Sequence, residues 1–355
     1  IGGSFPNYTA SYTFGGADTE GVIPYTIDFS DSATNAASQI TATTNASQVI
    51  FDKTAPTLTS VSIYSDNSNT ALARVGDTVS IDFTVSETVS GSATVLIDGN
   101  AASVIGSHPN YTASYTMNGG DTEGVTTFTI DFTDSSGNAG TQVTAVTDAS
   151  TVSFDETMPS AGSIGIFSDN ANPAMAKVGD SVSVSITVSE PLNADPVVTI
   201  AGNAASVIGS YPNYTASYVM SGGEGEGFLT FIVDFSDAAG NPTSSITAVT
   251  DASSVNFDET LPTIAISTPA DNTYINATTD SASFNVTGTC SEEGEAVTLV
   301  IDGGDIAGGS CTSSSFSAFI DTTGFTEGNI TFSARISDAA GNETTATIFN
   351  ITKDV

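Results

Sequence analysis

The sequence predicts an all-β chain of tandem β-sandwich domains, and three observations carry that prediction. The composition leans on Thr, Ser, Val, Ile, Ala and Gly, the residues of strands and tight turns, and there is no Trp. Apolar residues alternate with polar ones in runs of strand length, and no amphipathic helical run of useful length interrupts them. Long segments of the chain also recur at a fixed spacing, which marks repeated structural units.

The repeat sets the domain organisation. Asn-Tyr-Thr-Ala-Ser-Tyr starts at Asn7, Asn110 and Asn213, each 103 residues after the last. The segment Phe51-Asp52-Lys53-Thr54-Ala55-Pro56 returns at Phe154 and Phe257 with the same spacing. The turn Asp134-Ser-Ser-Gly-Asn138 returns as Asp237-Ala-Ala-Gly-Asn241, with a degenerate form from Asp31 to Asn35. Four units follow. Residues 1–51 are the second half of a repeat, 52–154 and 155–257 are full repeats, and 258–355 form a divergent unit. That last unit keeps Asp338-Ala-Ala-Gly-Asn342 but loses Asn-Tyr-Thr-Ala. A unit of this length suits one sandwich of about 100 residues.

Within the first full repeat, seven strands are expected near 57–64, 78–86, 93–98, 101–105, 111–117, 125–133 and 142–154. Val79, Ile81, Phe83 and Val85 alternate along the second strand, and Phe128, Ile130 and Phe132 along the sixth. Asp98-Gly99 reads as a hairpin turn. Residues 1–51 supply only strands five to seven, so alone they leave open edges and an exposed apolar face. Upstream residues are expected to complete that sandwich; a neighbouring chain is the other way to close it.

Charge narrows the function. Forty acidic residues stand against five basic ones, Lys53, Arg74, Lys177, Arg335 and Lys353, for a formal charge of -35. Nucleic-acid binding needs clustered Lys and Arg, and an anionic membrane surface would repel this chain. Cations are the natural small partners. No apolar run has the length of a membrane-spanning helix. The 39% apolar content and clean alternation predict a folded chain despite the charge. The two cysteines, Cys290 and Cys311, fall in the last unit. In an oxidising compartment they form a disulfide; otherwise they are two buried thiols.

Several motifs together carry a resemblance. They are Asp-x-Thr-x-Pro at each junction, Ala-Lys-Val-Gly-Asp from Ala176 to Asp180, Val-Ser-Glu ending at Glu87 and Glu190, and Asp-x-x-Gly-Asn late in each domain. This set resembles the bacterial-type immunoglobulin-like repeats of large microbial surface proteins, over nearly the whole chain. Its acidic, Lys-poor form is most similar to surface-layer proteins of ammonia-oxidising archaea. The last unit, with Pro269-Ala270 and Ser291 to Gly294, resembles an immunoglobulin-like subfamily of adhesins. The resemblance implies tandem immunoglobulin-like sandwiches in an extended array, extracellular on a cell surface or wall, self-associating into a lattice and carrying no enzymatic activity. A calcium-stiffened adhesin stalk is the alternative, and a spacer on an extracellular enzyme a third.

In such sandwiches the start of strand one and the loops after strands two, four and six share one pole. That pole gathers Asp52, Glu87 and Asp134, then Asp155, Glu190 and Asp237, then Asp258, Glu292 and Asp338. The opposite pole gathers Asp66, Asp77, Asp121 and Glu123, so carboxylates are expected to meet at domain boundaries. Ca²⁺ takes six to eight oxygen ligands, which carboxylates and loop carbonyls supply. The competing reading is that these residues form turns and their charge is solvated. Glycosylation sequons stand at Asn7, Asn45, Asn110, Asn213, Asn276, Asn285, Asn329, Asn342 and Asn350. Asn7, Asn110 and Asn213 share one repeat position and are the candidate acceptors.

Catalysis finds little support. The single histidine, His108, occupies the position of Phe5 and Tyr211, each followed by Pro, which reads as an aromatic packing position. There is no phosphate-binding loop, zinc-protease motif or dinucleotide fingerprint. Arg74 and Lys177 are equivalent and read as local counter-charges before strand two, with contact to an acidic neighbour as the alternative. The whole-chain field concentrates divalent cations, and for an ammonia oxidiser ammonium, near the surface.

Overall fold

The computed structural model describes all 355 residues, Ile1–Val355, as strands and turns without a helix. The chain divides into two compact units, Ile1–Thr157 and Met158–Val355.

In the first unit a four-stranded antiparallel sheet runs in the order Ser103–Ser107, Asn110–Thr116, Thr78–Val85, Leu58–Ser65. The alternation of Thr78–Val85 turns Val79, Ile81, Phe83 and Val85 inward, all at or below 2% exposure. Thr94–Ile97 pairs with Phe128–Asp131 in a second sheet, which adds Val95, Ile97, Phe128 and Ile130 to the same core. A third, short ribbon joins Gly124–Val125, Ser153–Phe154 and Leu72–Ala73, the last two in parallel. Tyr111 lies opposite Phe83 in register, and their rings stack with centroids 5.6 Å apart. Each large apolar side chain buried this way contributes roughly 1.5–3 kcal/mol. This is a β-sandwich of the immunoglobulin-like kind.

The Asp98-Gly99 turn has φ of 48° and 79°, the paired positive values of a type I′ hairpin. Ala201-Gly202 and Asp302-Gly303 repeat it. The expected seventh strand, 142–154, departs from the sequence reading. Only Val143, bridged to Ile130, and Ser153–Phe154 pair through the backbone as strand. Between them Asp148 accepts bonds from the Ser150 N–H and hydroxyl, and Ala149 turns to φ 61°. This local turn breaks the strand. Side chains then complete the pairing: Thr147 Oγ1 accepts from the Val61 N–H and Ser150 Oγ from the Ile63 N–H.

Residues 1–51 lie in the first unit with their apolar side chains open. Ile27 and Phe29 are 47% and 55% exposed, whereas their equivalents Ile130 and Phe132 are 0% and 6% exposed. In the full repeat, side chains of Thr94–Ile97 and Thr78–Val85 pack in the same core as Ile130 and Phe132.

The second unit holds two cores. Residues 164–257 repeat the first core nearly position for position, with Val182, Val184, Ile186 and Val188 on the central strand. The other core packs Ile264–Thr268, Phe284–Cys290 and Ser315–Ile320 against a larger sheet centred on Gly328–Ser337. Cys290 ends a strand of the smaller sheet, and Cys311 follows the edge strand Gly304–Ser310 of the larger. Their disulfide therefore ties the two layers together. Lys353, on the final strand, is 3% exposed; its ammonium donates to Thr322 O at 2.8 Å and pairs with Asp280 at 3.0 Å.

Replacing both cysteines by serine is expected to lower the stability of 258–355 by about 3 kcal/mol, the loop-closure value for a crosslink of this span. Hydrogen exchange resolved by domain checks this. Amides of 264–351 lose protection while those of 58–131 keep it.

Candidate functional site

Each domain carries a turn built on a buried aspartate. Asp134 is 1% exposed, and its Oδ1 accepts the N–H groups of Ser136 and Asn138 at 2.8 and 2.9 Å. Its Oδ2 accepts the Asn138 amide at 2.7 Å, and Gly137 supplies the positive φ of 95° that closes the loop. Burial pushes the Asp134 carboxyl up, but the bonds from Asn138, Ser136 and Gly137 outweigh it and hold it below the usual range. Asp237 with Asn241 and Asp338 with Asn342 form the same bonds, at 2.9 Å each. Asp31 and Asn35 repeat them even in the degenerate copy, where Thr34 takes φ 69°.

The turn is pinned to the junction segment. Asn138 Nδ2 donates to Asp52 O at 3.3 Å, and Asn342 Nδ2 to Asp258 O at 2.9 Å. The junction motif Asp-x-Thr explains itself here. Asp52, Asp155 and Asp258 each accept the N–H of the Thr two residues on, at 3.0 Å. A glutamate from the preceding strand region then clasps that Thr: Glu20 takes the Thr54 hydroxyl and Lys53 N–H, Glu123 the Thr157 hydroxyl and Glu156 N–H, and Glu226 the Thr260 hydroxyl and Glu259 N–H. The residue between Asp and Thr clasps back. Lys53 donates to the carbonyls of Gly16 and Asp18, whereas Glu156 and Glu259 accept the N–H groups of Gly120 and Gly223. These clasps hold Glu20, Glu123 and Glu226 below the usual carboxylate range: the Lys53 N–H acts first on Glu20, and the Thr157 and Thr260 hydroxyls first on the other two. Sequence alone singles out Glu123 as an opposite-pole carboxylate but not its clasp, and it does not single out Glu20 or Glu226. Their signal is Glu-Gly at Glu20, Glu123 and Glu226, again 103 residues apart.

The pinned turn brings carboxylates together. Ser86 donates its N–H to Thr57 O, which sets the next residue, Glu87, beside the junction. One carboxylate oxygen each from Asp52, Glu87 and Asp134 lies within 4.8 Å of the others. Partial desolvation, then the charges of Asp52 and Asp134, push Glu87 above its ordinary value. Oxygens at this spacing match opposite or adjacent ligands of an ion bound at 2.3–2.6 Å. In the second unit, Glu190 follows the strand Ser181–Val188 and Asp237 is fixed in its turn, while Asp155 closes the first unit after Ser153–Phe154. Asp258 is also pushed up, by burial first and then by Asp338, Glu226 and Glu292. Glu292 additionally accepts the Ser291 hydroxyl at 2.8 Å.

The opposite-pole carboxylates have other work. Asp66 accepts the Thr78 N–H, Asp77 the Arg74 N–H and the Asn67 amide, Asp121 the Asn118 N–H and the Tyr115 hydroxyl, and Glu123 forms its clasp. They close local loops. Arg74 lies 4.0 Å from Asp77, the local counter-charge the sequence predicts. Lys177 does more: its ammonium donates to Gly341 O, while Asn170 donates to Ala340 O at 2.9 Å. Repeat 155–257 thus grips the buried-aspartate turn of 258–355.

Asn7, Asn110 and Asn213 are exposed. The side-chain oxygens of Asn110 and Asn213 accept the hydroxyls of Thr84 and Thr187. The sequon at Asn342 is 8% exposed and its amide is bonded twice, so it is closed to modification. His108 is exposed rather than packed, as are Phe5 and Tyr211. In the two full repeats the strand that follows turns its Tyr inward instead, as Tyr111 and Tyr214 show, whereas Tyr8 after Phe5 stays exposed.

No protein-family model matches the chain, and no curated protein matches it. Among solved structures it is similar to the fibronectin(III)-like modules of Clostridium thermocellum CbhA, at 17% identity over 54% of this chain and 93% of that one, with a TM-score of 0.32. It is also similar to the titin immunoglobulin tandem A164-A165, at 12% identity over 56% and 97% with a TM-score of 0.21. A third is Bacteroides ovatus SGBP-B in complex with a mixed-linkage heptasaccharide, at 14% over 86% and 71% with a TM-score of 0.21. The assignment of the fold rests on the sheets and cores described above.

Glu226→Ala is expected to speed hydrogen exchange at the Glu259 N–H several-fold and leave Val255 unchanged; equal rates at Glu259 would contradict the clasp. Glu87→Gln tests the crowding. The raised Glu87 carboxyl is a penalty to the folded state once ionised, so in chelator the substitution raises the melting temperature at pH 7. The gain vanishes below the unfolded value near 4.5, where both states hold the proton.

Proposed function

We propose that this chain is a structural component of a microbial cell surface, a surface-layer protein whose copies self-associate into a lattice. The observation that carries the reading is the carboxylate pole, in which Asp52, Glu87 and Asp134 approach one another in a chain of net charge -35. Like charges gather there because a buried turn forces them to, and a divalent cation relieves the repulsion. Ca²⁺ would be held by Asp52, Glu87 and Asp134, all hard oxygen donors. The repeated set Asp258, Glu292, Asp338 extends the proposal to the last domain. Bound there, the ion supplies neutralisation and stiffness.

The remaining acidic surface concentrates cations, ammonium among them. Glycans on Asn7, Asn110 and Asn213 and an extracellular location belong to the same reading, which the disulfide supports. No step of catalysis is assigned. A calcium-stiffened adhesin stalk is the second reading, favoured by the divergent, disulfide-closed last domain.

Negative-stain electron microscopy of the full-length secreted protein, with calcium and then chelator, separates the two. Sheets or tubes that dissolve on chelation are the expected result. Isolated rods in both conditions would contradict the lattice and favour the stalk. In calcium the effect of Glu87→Gln reverses sign: it removes a ligand and lowers the melting temperature. Blocking surface carboxylates is expected to lower ammonium partitioning onto the assembled surface, and equal partitioning would remove that part of the proposal.

A further inference from the structure

The strands Ser103–Ser107 and Ser206–Ser210 have the same sequence, Ser-Val-Ile-Gly-Ser, and each is the edge of its four-stranded sheet. One side pairs with Asn110–Thr116 or Asn213–Val219, and the other side is open. Edge strands in soluble proteins are ordinarily protected by charge, proline or a bulge, because open N–H and C=O groups pair with any passing strand. Here the register is unbroken, and neither strand has a charged residue or a proline. Each instead presents an isoleucine, Ile105 at 66% and Ile208 at 69% exposure.

The charge distribution sharpens the point. In a chain with 40 acidic residues, Gly99–Gly120 and Pro196–Gly223 contain none, and no Lys or Arg. These stretches include both edge strands and the strands they pair with. Two copies of a strongly anionic chain repel wherever their acidic faces meet. They approach with the least penalty along these acid-free stretches, each of which carries an open edge; the nearest carboxylate on the first sheet face is Asp82, two strands in from Ile105.

We propose that copies of this chain join laterally through these edges, Ser103–Ser107 and Ser206–Ser210 pairing antiparallel with the same edges of a second copy. The inference rests on the lattice reading above and names its contact. Antiparallel pairing places the exposed isoleucines on one face of the extended sheet, where they cover each other, and satisfies the open backbone groups. One edge in each unit gives every chain two such contacts, so weak individual pairs add to a stable array.

The test is sedimentation and electron microscopy of the full chain in calcium, comparing wild type with the double variant Ile105→Lys, Ile208→Lys. Both positions are exposed, so the fold is retained, which amide protection of Ile81 and Val184 verifies. Loss of assembly in the folded double variant is the expected result. Wild-type and variant assembling alike would overturn the edge contact and leave the lattice reading standing, whereas failure of wild type to assemble at all would remove both. Two further measurements read the contact directly. Ile105→Cys and Ile208→Cys are expected to form disulfide-linked dimers under mild oxidation, and edge amides are expected to gain protection as the chain's own concentration rises. Edge amides that stay open at every concentration, free for a strand of some other protein, would overturn the proposal.

Discussion

The buried aspartate of the Asp-x-x-Gly-Asn turn is the constraint from which the rest of the site follows. A carboxylate at 1% exposure is tolerable only when its oxygens are fully bonded, and Asp134 gains its bonds by folding the next four residues around itself. That fold aims the Asn138 amide outward at the junction carbonyl of Asp52. The junction is therefore fixed against the last hairpin, which sets the Asp52 and Glu87 carboxylates beside that of Asp134. Crowding of like charge at the pole is a consequence of the turn, and burial first, then this crowding, pushes the Glu87 and Asp258 carboxyls up.

Scarcity of positive charge shapes everything else. With five basic residues, most carboxylates are balanced by N–H and O–H donors rather than by ion pairs. Glu224 is the extreme: burial works to raise it, yet the Ser221 hydroxyl and N–H and the Tyr218 hydroxyl hold it at about 2. The glutamate clasps at the junctions obey the same rule. A carboxyl held below its unfolded value stabilises the fold above that value and loses the contribution as pH falls through the folded one. The clasps therefore lose their contribution as pH falls below the ordinary glutamate range, whereas the crowded pole relaxes as soon as Glu87 and Asp258 take up protons. The few cations that exist sit where a loop or strand end must be held: Lys353 at the last strand, Lys177 on the neighbouring turn, and Arg335 between Asp305 and Glu343.

Much of this was legible in the sequence because it is periodic. Val79 to Val85 and Phe128 to Phe132 announce buried strand faces by alternation alone, and Asp98-Gly99 announces its hairpin. The three carboxylates of the pole were within reach because sandwich topology brings their loops together. The 142–154 strand was not legible, since Asp148 and Ser150 form a turn whose side chains imitate a strand. Nor were the clasps: Glu-Gly recurs at Glu20, Glu123 and Glu226, but the recurrence names no partner until the threonine, over thirty residues away, is known. Lys177 and Arg74 share a repeat position but differ in reach, which sequence spacing does not encode. At His108 the aromatic character of its equivalents misled, because the inward position belongs to Tyr111.

Calcium titration of the full chain by calorimetry, in a buffer of physiological ionic strength, tests the central claim most directly. The account predicts saturable binding, with the Asp52–Glu87–Asp134 contribution lost in Glu87→Gln and retained in a control that neutralises Asp66. A featureless titration that sodium reproduces, unchanged by Glu87→Gln, would contradict it: the crowded carboxylates would then be held by the fold alone, with their charge left to the solvent.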